Sequence, residues 1–148
     1  MKIALGSDHA GFELKNRIAG RLAALGHEIV DCGCSSEESC DYPDYGAKVG
    51  RAVASGECER GIAVCGTGIG IGMAAGKVPG VRAAVVHNRF TVQMSREHND
   101  ANVLALGSRV LDPRHAEELA EYWLGLTFAG GRHGRRVGKI NALDHVET

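Results

Sequence analysis

The sequence predicts an α/β fold built on a largely parallel sheet. Helical and strand patterns alternate along the whole chain, the order that a parallel sheet requires. At the centre, the apolar run Ile62-Ala63-Val64 is short enough to be a buried strand, and it passes through Cys65 into a loop with glycine at 66, 68, 70 and 72. The stretch Met73-Ala74-Ala75 that follows is Ala-rich and helix-compatible. Strand, glycine loop and helix in that order aim successive N–H groups, and the positive end of a helix dipole, at whatever sits above the sheet.

The other elements follow from periodicity and punctuation. Lys2 to Leu5 is the first strand, ending at Gly6-Ser7-Asp8-His9. Leu14, Ile18, Leu22 and Leu25 recur at helical spacing and stop at Gly26. Glu28 to Cys32 is the second strand, and Gly33 to Tyr45 reads as an irregular polar loop. A helix then turns Val49, Ala52 and Val53 inward and ends near Gly56, and Gly61 to Cys65 is the third strand. Pro79-Gly80 marks a turn. Arg82 to Val86 is the fourth strand, Asn88 to His98 a helix with Phe90 and Met94 on one face, and Val103 to Leu106 the fifth strand. Asp112-Pro113 pairs an acidic N-cap with a proline at the first helical position, and Ala116, Leu119, Ala120 and Trp123 form the buried stripe of that helix. After Gly130-Gly131 comes a polar tail whose narrow apolar stripe is Val137, Ile140 and Leu143. A helix so sparsely apolar, over about residues 131–148, is expected to pack on a partner subunit.

The 148 residues make one domain, long enough to bury roughly 68–70% of the unfolded surface. A net charge of -1 supplies no field that would draw nucleic acid or an anionic membrane. No run approaches the ~18 apolar residues of a membrane helix, and no leader with a cleavage site is visible. Five cysteines, an odd number without disulfide-framework density, fit a reduced cytoplasmic protein.

Parallel sheets bind ligands beyond the carboxyl ends of their strands. That rule gathers Asp8-His9, Cys65 to Gly70 and Gly107-Ser108-Arg109 on one rim. His98-Asn99-Asp100 ends a helix and falls on the opposite rim, so a second subunit has to supply His98 if it takes part in chemistry. Other chemistries fit poorly. A dinucleotide fingerprint starting at Gly70 begins inside the loop and lacks an acid some 20 residues on. Gly76-Lys77 is followed by Val78, so the Walker pattern fails, and no arginine follows Cys65 as a thiol phosphatase would need. There is no Cys-x-x-Cys, and Cys32-x-Cys34 is too close for ordinary zinc spacing. Asp8-His9 reads either as a ligand pair or as a cap on the next helix. Arg132, Arg135 and Arg136 read either as a solvated face or as a phosphate anchor.

Together, Gly6-Ser7-Asp8-His9-Ala10-Gly11, Asp41-Tyr42-Pro43, Cys65-Gly66-Thr67-Gly68-Ile69-Gly70, Ser95-Arg96-Glu97-His98-Asn99-Asp100, Gly107-Ser108-Arg109 and Gly130-Gly131-Arg132-His133 resemble the type B ribose-5-phosphate isomerases. Their wider family includes galactose-6-phosphate isomerase subunits. The resemblance covers nearly the whole chain. It implies a Rossmann-like α/β/α sandwich with a five-stranded parallel sheet, a homodimer or tetramer with active sites shared between subunits, and no metal or cofactor. It implies interconversion of ribose 5-phosphate and ribulose 5-phosphate, with Cys65 as base, Thr67 near the reacting oxygens and the amides of Gly66, Thr67, Gly68, Ile69 and Gly70 holding an enediolate. His98 from the partner would open the ring, Asp8 and Asn99 would bind hydroxyls, and His9, Arg109, Arg132 and Arg136 would hold phosphate. Relatives that put serine at the cysteine position use a glutamate further along the loop. Ile69 to Ala75 holds no acid, so this chain resembles the cysteine kind. A six-carbon substrate such as allose or galactose 6-phosphate, or a non-catalytic sugar-phosphate module, are the alternatives.

The chemistry suits these groups. Moving a proton beside a carbonyl puts negative charge on oxygen, which preset N–H groups stabilise without reorganising. A thiol at a helix amino end beside a cation can serve as base near neutral pH. Histidine exchanges protons in the same range, which suits ring opening.

Overall fold

The computed structural model describes residues 1–145. Its five strands, β1 (Lys2–Ser7), β2 (Glu28–Asp31), β3 (Arg60–Cys65), β4 (Ala83–Val85) and β5 (Val103–Gly107), form one sheet in the order β2-β1-β3-β5-β4. Every pairing is parallel. The helices are α1 (Phe12–Ala24), α2 (Tyr42–Ala54), α3 (Ile69–Gly76), α4 (Arg89–Glu97), α5 (Pro113–Leu124) and α6 (Arg132–Ala142), followed by a 3₁₀ turn, Leu143–His145.

Crossover handedness explains the layers. A right-handed connection that moves one way along the sheet lies on one face, and its opposite lies on the other. The connections β1 to β2 and β4 to β5 step in one direction and place α1 and α4 on one face, where α5 joins them. The connections β2 to β3 and β3 to β4 step the other way and carry α2 and α3 on the second face. The result is the expected three-layer α/β/α sandwich. Its first core joins Ile3, Leu5, Ile62, Val64, Leu104 and Leu106 to Ile18, Leu22 and Trp123. The second joins Ala4, Ala63, Cys65 and Ala105 to Val49, Val53, Ile71 and Ala75.

Local chemistry sets the helix starts. Asp112 Oδ1 accepts the Arg114 N–H at 3.0 Å, with Pro113 at the first helical position as expected. Asn88 and Thr91 form a reciprocal cap on α4, with Thr91 N–H donating to Asn88 Oδ1 at 2.8 Å. One expectation is revised. The segment Gly33 to Tyr45 is irregular only as far as Asp41, because α2 begins at Tyr42 with proline in its first turn. Phe90 is 68% exposed, and the buried residues of α4 are Val92, Ser95 and Arg96. In the tail, Val137 is buried against its own chain while Ile140 and Leu143 stay exposed, and residues 146–148 lie outside the described range. No helix among the described residues is long and apolar enough to cross a membrane.

Candidate active site

The register of the sheet decides which residues meet. Ser7 pairs with Val64, Val64 with Leu106 and Cys65 with Gly107, so β1, β3 and β5 end level. Asp8 and His9, Cys65 to Gly70, and Ser108 and Arg109 therefore leave the sheet along one rim. Backbone bonds knit them together: Ser108 N–H donates to the Cys65 carbonyl and Arg109 N–H to the Gly66 carbonyl, each at 2.9 Å. Ser108 Oγ donates to the Ala10 carbonyl at 2.8 Å.

Cys65 is 4% exposed, and its sulfur faces the glycine turn, where Sγ accepts the Gly68 N–H at 3.1 Å. Gly68 makes this possible. Its φ is +81°, and a Cβ there would stand 2.9 Å from the Leu106 carbonyl carbon. Thr67 is exposed, and its Oγ1 accepts the Ile69 N–H at 3.2 Å. The N–H groups of Gly68 and Ile69 thus already have partners within the loop, which narrows the set of amides free to meet a ligand. The Arg109 guanidinium lies over Gly66, with Nη1 3.2 Å from where a Cβ would be. The Tyr42 ring covers Gly70 in the same way, at 2.6 Å.

Asp8 is buried, and its Oδ1 accepts the Gly11 N–H at 3.0 Å, so the side chain does cap the turn into α1. His9 Nδ1 accepts the Cys40 N–H at 3.2 Å. In the neutral ring that leaves the proton on Nε2, the free donor.

The second group sits elsewhere. His98 ends α4 and Asn102 leads into β5, with the Gly61 N–H at the start of β3 donating to the Asn102 carbonyl at 2.9 Å. His98 and Asn99 are therefore on the amino-end rim, a strand length of about 17–20 Å from Cys65 within one chain. The His98 ring stacks on His133, with centroids 4.0 Å apart and planes 13° from parallel. Partial burial, then His98, Arg132 and Arg136, hold His133 below its ordinary value of 6.5. Arg132 and Arg136 are exposed on the same helix, α6. Asn99 lines an open cleft of about 330 Å³ with Arg82, Ala101 and Ile140. Among the described residues, no three His, Cys, Asp or Glu side chains gather to ligate a metal.

Two neighbours of these groups, Tyr42 and His133, stand in stretches that carry the resemblance but were given no role in the site. Tyr42 stands in the Asp41-Tyr42-Pro43 stretch, but its contact with Gly70 joins α2 to a loop of another element and is not marked locally. His133 was more accessible to reasoning, since it adjoins Arg132 and lies three residues before Arg136 on one helical face.

Comparison with known proteins adds the following. The family model described as Ribose/Galactose Isomerase matches residues 3–140. Ribose-5-phosphate isomerase B of Escherichia coli is 48% identical over 143 residues, which is 97% of this chain and 96% of the relative. D-erythrulose-4-phosphate isomerase of Pectobacterium atrosepticum is 39% identical, covering 99% of this chain and 97% of the relative. The solved structure of Clostridium thermocellum ribose-5-phosphate isomerase B superposes with a TM-score of 0.96 at 56% identity, covering 97% of both chains.

Proposed function

Since the chain belongs to the ribose/galactose isomerase family, we propose that it interconverts D-ribose 5-phosphate and D-ribulose 5-phosphate, a step of the pentose phosphate pathway. The observation that carries this reading is the Cys65 sulfur turned into the glycine loop, 3.1 Å from the Gly68 amide. In the proposed reaction Cys65 removes the C2 proton of the open aldose and delivers it to C1, while the O2 hydroxyl proton passes to O1, so that C1 ends as an alcohol and C2 as a ketone. The Gly68 N–H meets that sulfur at the amino end of α3, and the Arg109 guanidinium lies over the adjoining Gly66. Electrons displaced onto oxygen give an enediolate, which remaining loop N–H groups and the Thr67 hydroxyl stabilise. Losing one comparable donor costs about 3–4 kcal/mol.

His98 opens the furanose ring, and Asp8 and Asn99 bind hydroxyls. His9, Arg109, Arg132 and Arg136 hold the phosphate, a handle whose binding energy positions the reacting end. Because the two groups lie on opposite rims, the reading requires a homodimer, or a tetramer of such pairs, in which one subunit's carboxyl-end rim meets its partner's amino-end rim. Exposed apolar side chains support an interface: Ile69 and Met73 on α3, Ile140 on α6 and Leu143 beyond it. A cleft of about 570 Å³ lined by Met73, Gly76, Ala83 and Val85 runs beside edge strand β4. All five cysteines are free, which supports a cytoplasmic setting.

Replacing Cys65 by alanine tests the reading. Conversion of ribose 5-phosphate should fall roughly 10²–10⁴-fold with the far-UV circular dichroism unchanged. Near-normal turnover in that variant removes Cys65 as the base. A sugar phosphate of another length is the second reading, favoured by the relative named for D-erythrulose 4-phosphate. Comparing kcat/KM for four-, five- and six-carbon substrates decides it.

A further inference from the structure

Asp100 directly follows His98 and Asn99, and it is the one non-glycine residue among those described with a left-handed backbone, φ +47°. That conformation is unfavourable for a residue with a Cβ and persists only where its surroundings hold it. Here two arginines do so. Asp100 Oδ1 accepts from Arg96 Nη1 at 2.9 Å, and its N–H donates to the Arg96 carbonyl at 3.2 Å. The Asp100 carbonyl accepts from Arg82 Nε at 2.9 Å, with Arg82 Nη2 3.5 Å from Oδ2. Glycine would adopt this φ freely, yet it would supply no anion between the two guanidinium groups. Arg96 is 7% exposed, its Nε is without a partner among the described residues, and its Nη1 also donates to the Ala101 carbonyl at 2.7 Å. The Asp100 carboxylate is therefore what balances a buried cation.

The bracing extends beyond the turn. Arg82 Nη1 donates to Asn141 Oδ1, near the end of α6, at 3.0 Å. At the other end of α6, His133 stacks on His98, and just before it the Ala129 N–H donates to the Glu97 carbonyl at 3.0 Å. The turn at 98–100 and both ends of α6 make one connected unit with Asp100 at its centre.

We propose that Asp100 is a positioning residue for the isomerisation: clamped by Arg82 and Arg96, it sets the turn that aims His98 and ties that turn to α6. The inference rests on the role proposed above for His98. Asp100 itself touches no substrate.

A double-variant cycle read with two substrates tests it. Ribose 5-phosphate is mostly ring-closed and needs opening. Ribulose 5-phosphate has its O5 esterified and forms no furanose, so exchange of its C1 hydrogen with D₂O, followed by NMR, reports deprotonation alone. Asp100→Asn keeps tolerance of a left-handed φ but removes the charge. It should lower kcat for ribose 5-phosphate roughly tenfold to a hundredfold, while C1 exchange stays within about threefold and added to His98→Asn it causes less than about a twofold further loss. If Asp100→Asn does not fold, Arg82→Gln is taken through the same cycle with the same expectation. Losses that multiply in the double variant, or C1 exchange that falls as far as net conversion, overturn the positioning role and leave His98 untouched. Full conversion by His98→Asn alone overturns the role of His98, and this inference with it.

Discussion

Five cysteines share this chain, and their surroundings separate them. Burial pushes the Cys32 thiol up to about 11, with Cys58, Asp31 and Glu57 adding to it, and burial likewise raises Cys40 and Cys58. Those settings keep a sulfur protonated and inert. The Cys65 sulfur accepts the Gly68 N–H at the amino end of α3. Arg132 makes a different kind of contribution, because it is exposed, on α6, and remote from the sulfur of its own chain. Its proposed contact is with phosphate, equally present in ground and transition state, so Arg132→Ala should raise KM for ribose 5-phosphate several-fold with kcat little changed. Steady-state kinetics checks this, and an unchanged KM moves the phosphate elsewhere. At this scale the Cys65 loop was legible because its glycines, thiol and helix start are contiguous in sequence. The Tyr42 ring over Gly70 and the clamp on Asp100 were not, since each joins elements far apart in the chain.

Elements were read well where one face is uniformly apolar and less well where charge is buried. The stripe Ala116, Leu119, Ala120 and Trp123 of α5 is buried as its spacing requires. On α4 the buried positions are Val92, Ser95 and Arg96, a set that includes an arginine made tolerable by Asp100, and the pair Phe90 and Met94 singled out in the sequence did not foretell it. Helix α6 reads as polar because much of its surface work is electrostatic, and His133 makes that testable. The folded chain takes up a proton at His133 less readily than the unfolded chain does. Below the ordinary value of 6.5 the unfolded state therefore binds more protons, and stability present above that pH is lost as pH falls through it toward the lower folded value. The urea midpoint should drop between about pH 7.5 and about pH 5.5, and His133→Asn should flatten part of that drop. Identical pH slopes in the two proteins would show that His133 contributes nothing to it.

In the whole molecule, sheet register and helix direction together put the proposed chemistry on two rims. The level ends of β1, β3 and β5 collect Asp8, His9, Cys65 and Arg109, while α4 returns the chain to the far rim before His98. Alternation of elements was enough to foresee this division, because a parallel sheet has only one carboxyl end. Which apolar side chains stay exposed was beyond the sequence, since Ile69, Met73, Ile140 and Leu143 are scattered along the chain and come into view as surface only after folding.

The central claim, that each active site takes one rim from each of two subunits, is most directly tested by mixing. Cys65→Ala and His98→Asn proteins, each close to inactive on ribose 5-phosphate, are unfolded together in equal amounts and refolded. Random pairing gives hybrid dimers with one intact site, so about a quarter of wild-type activity should return. A mixture as inactive as its parents, with hybrid dimers demonstrated by mass spectrometry, would contradict the account.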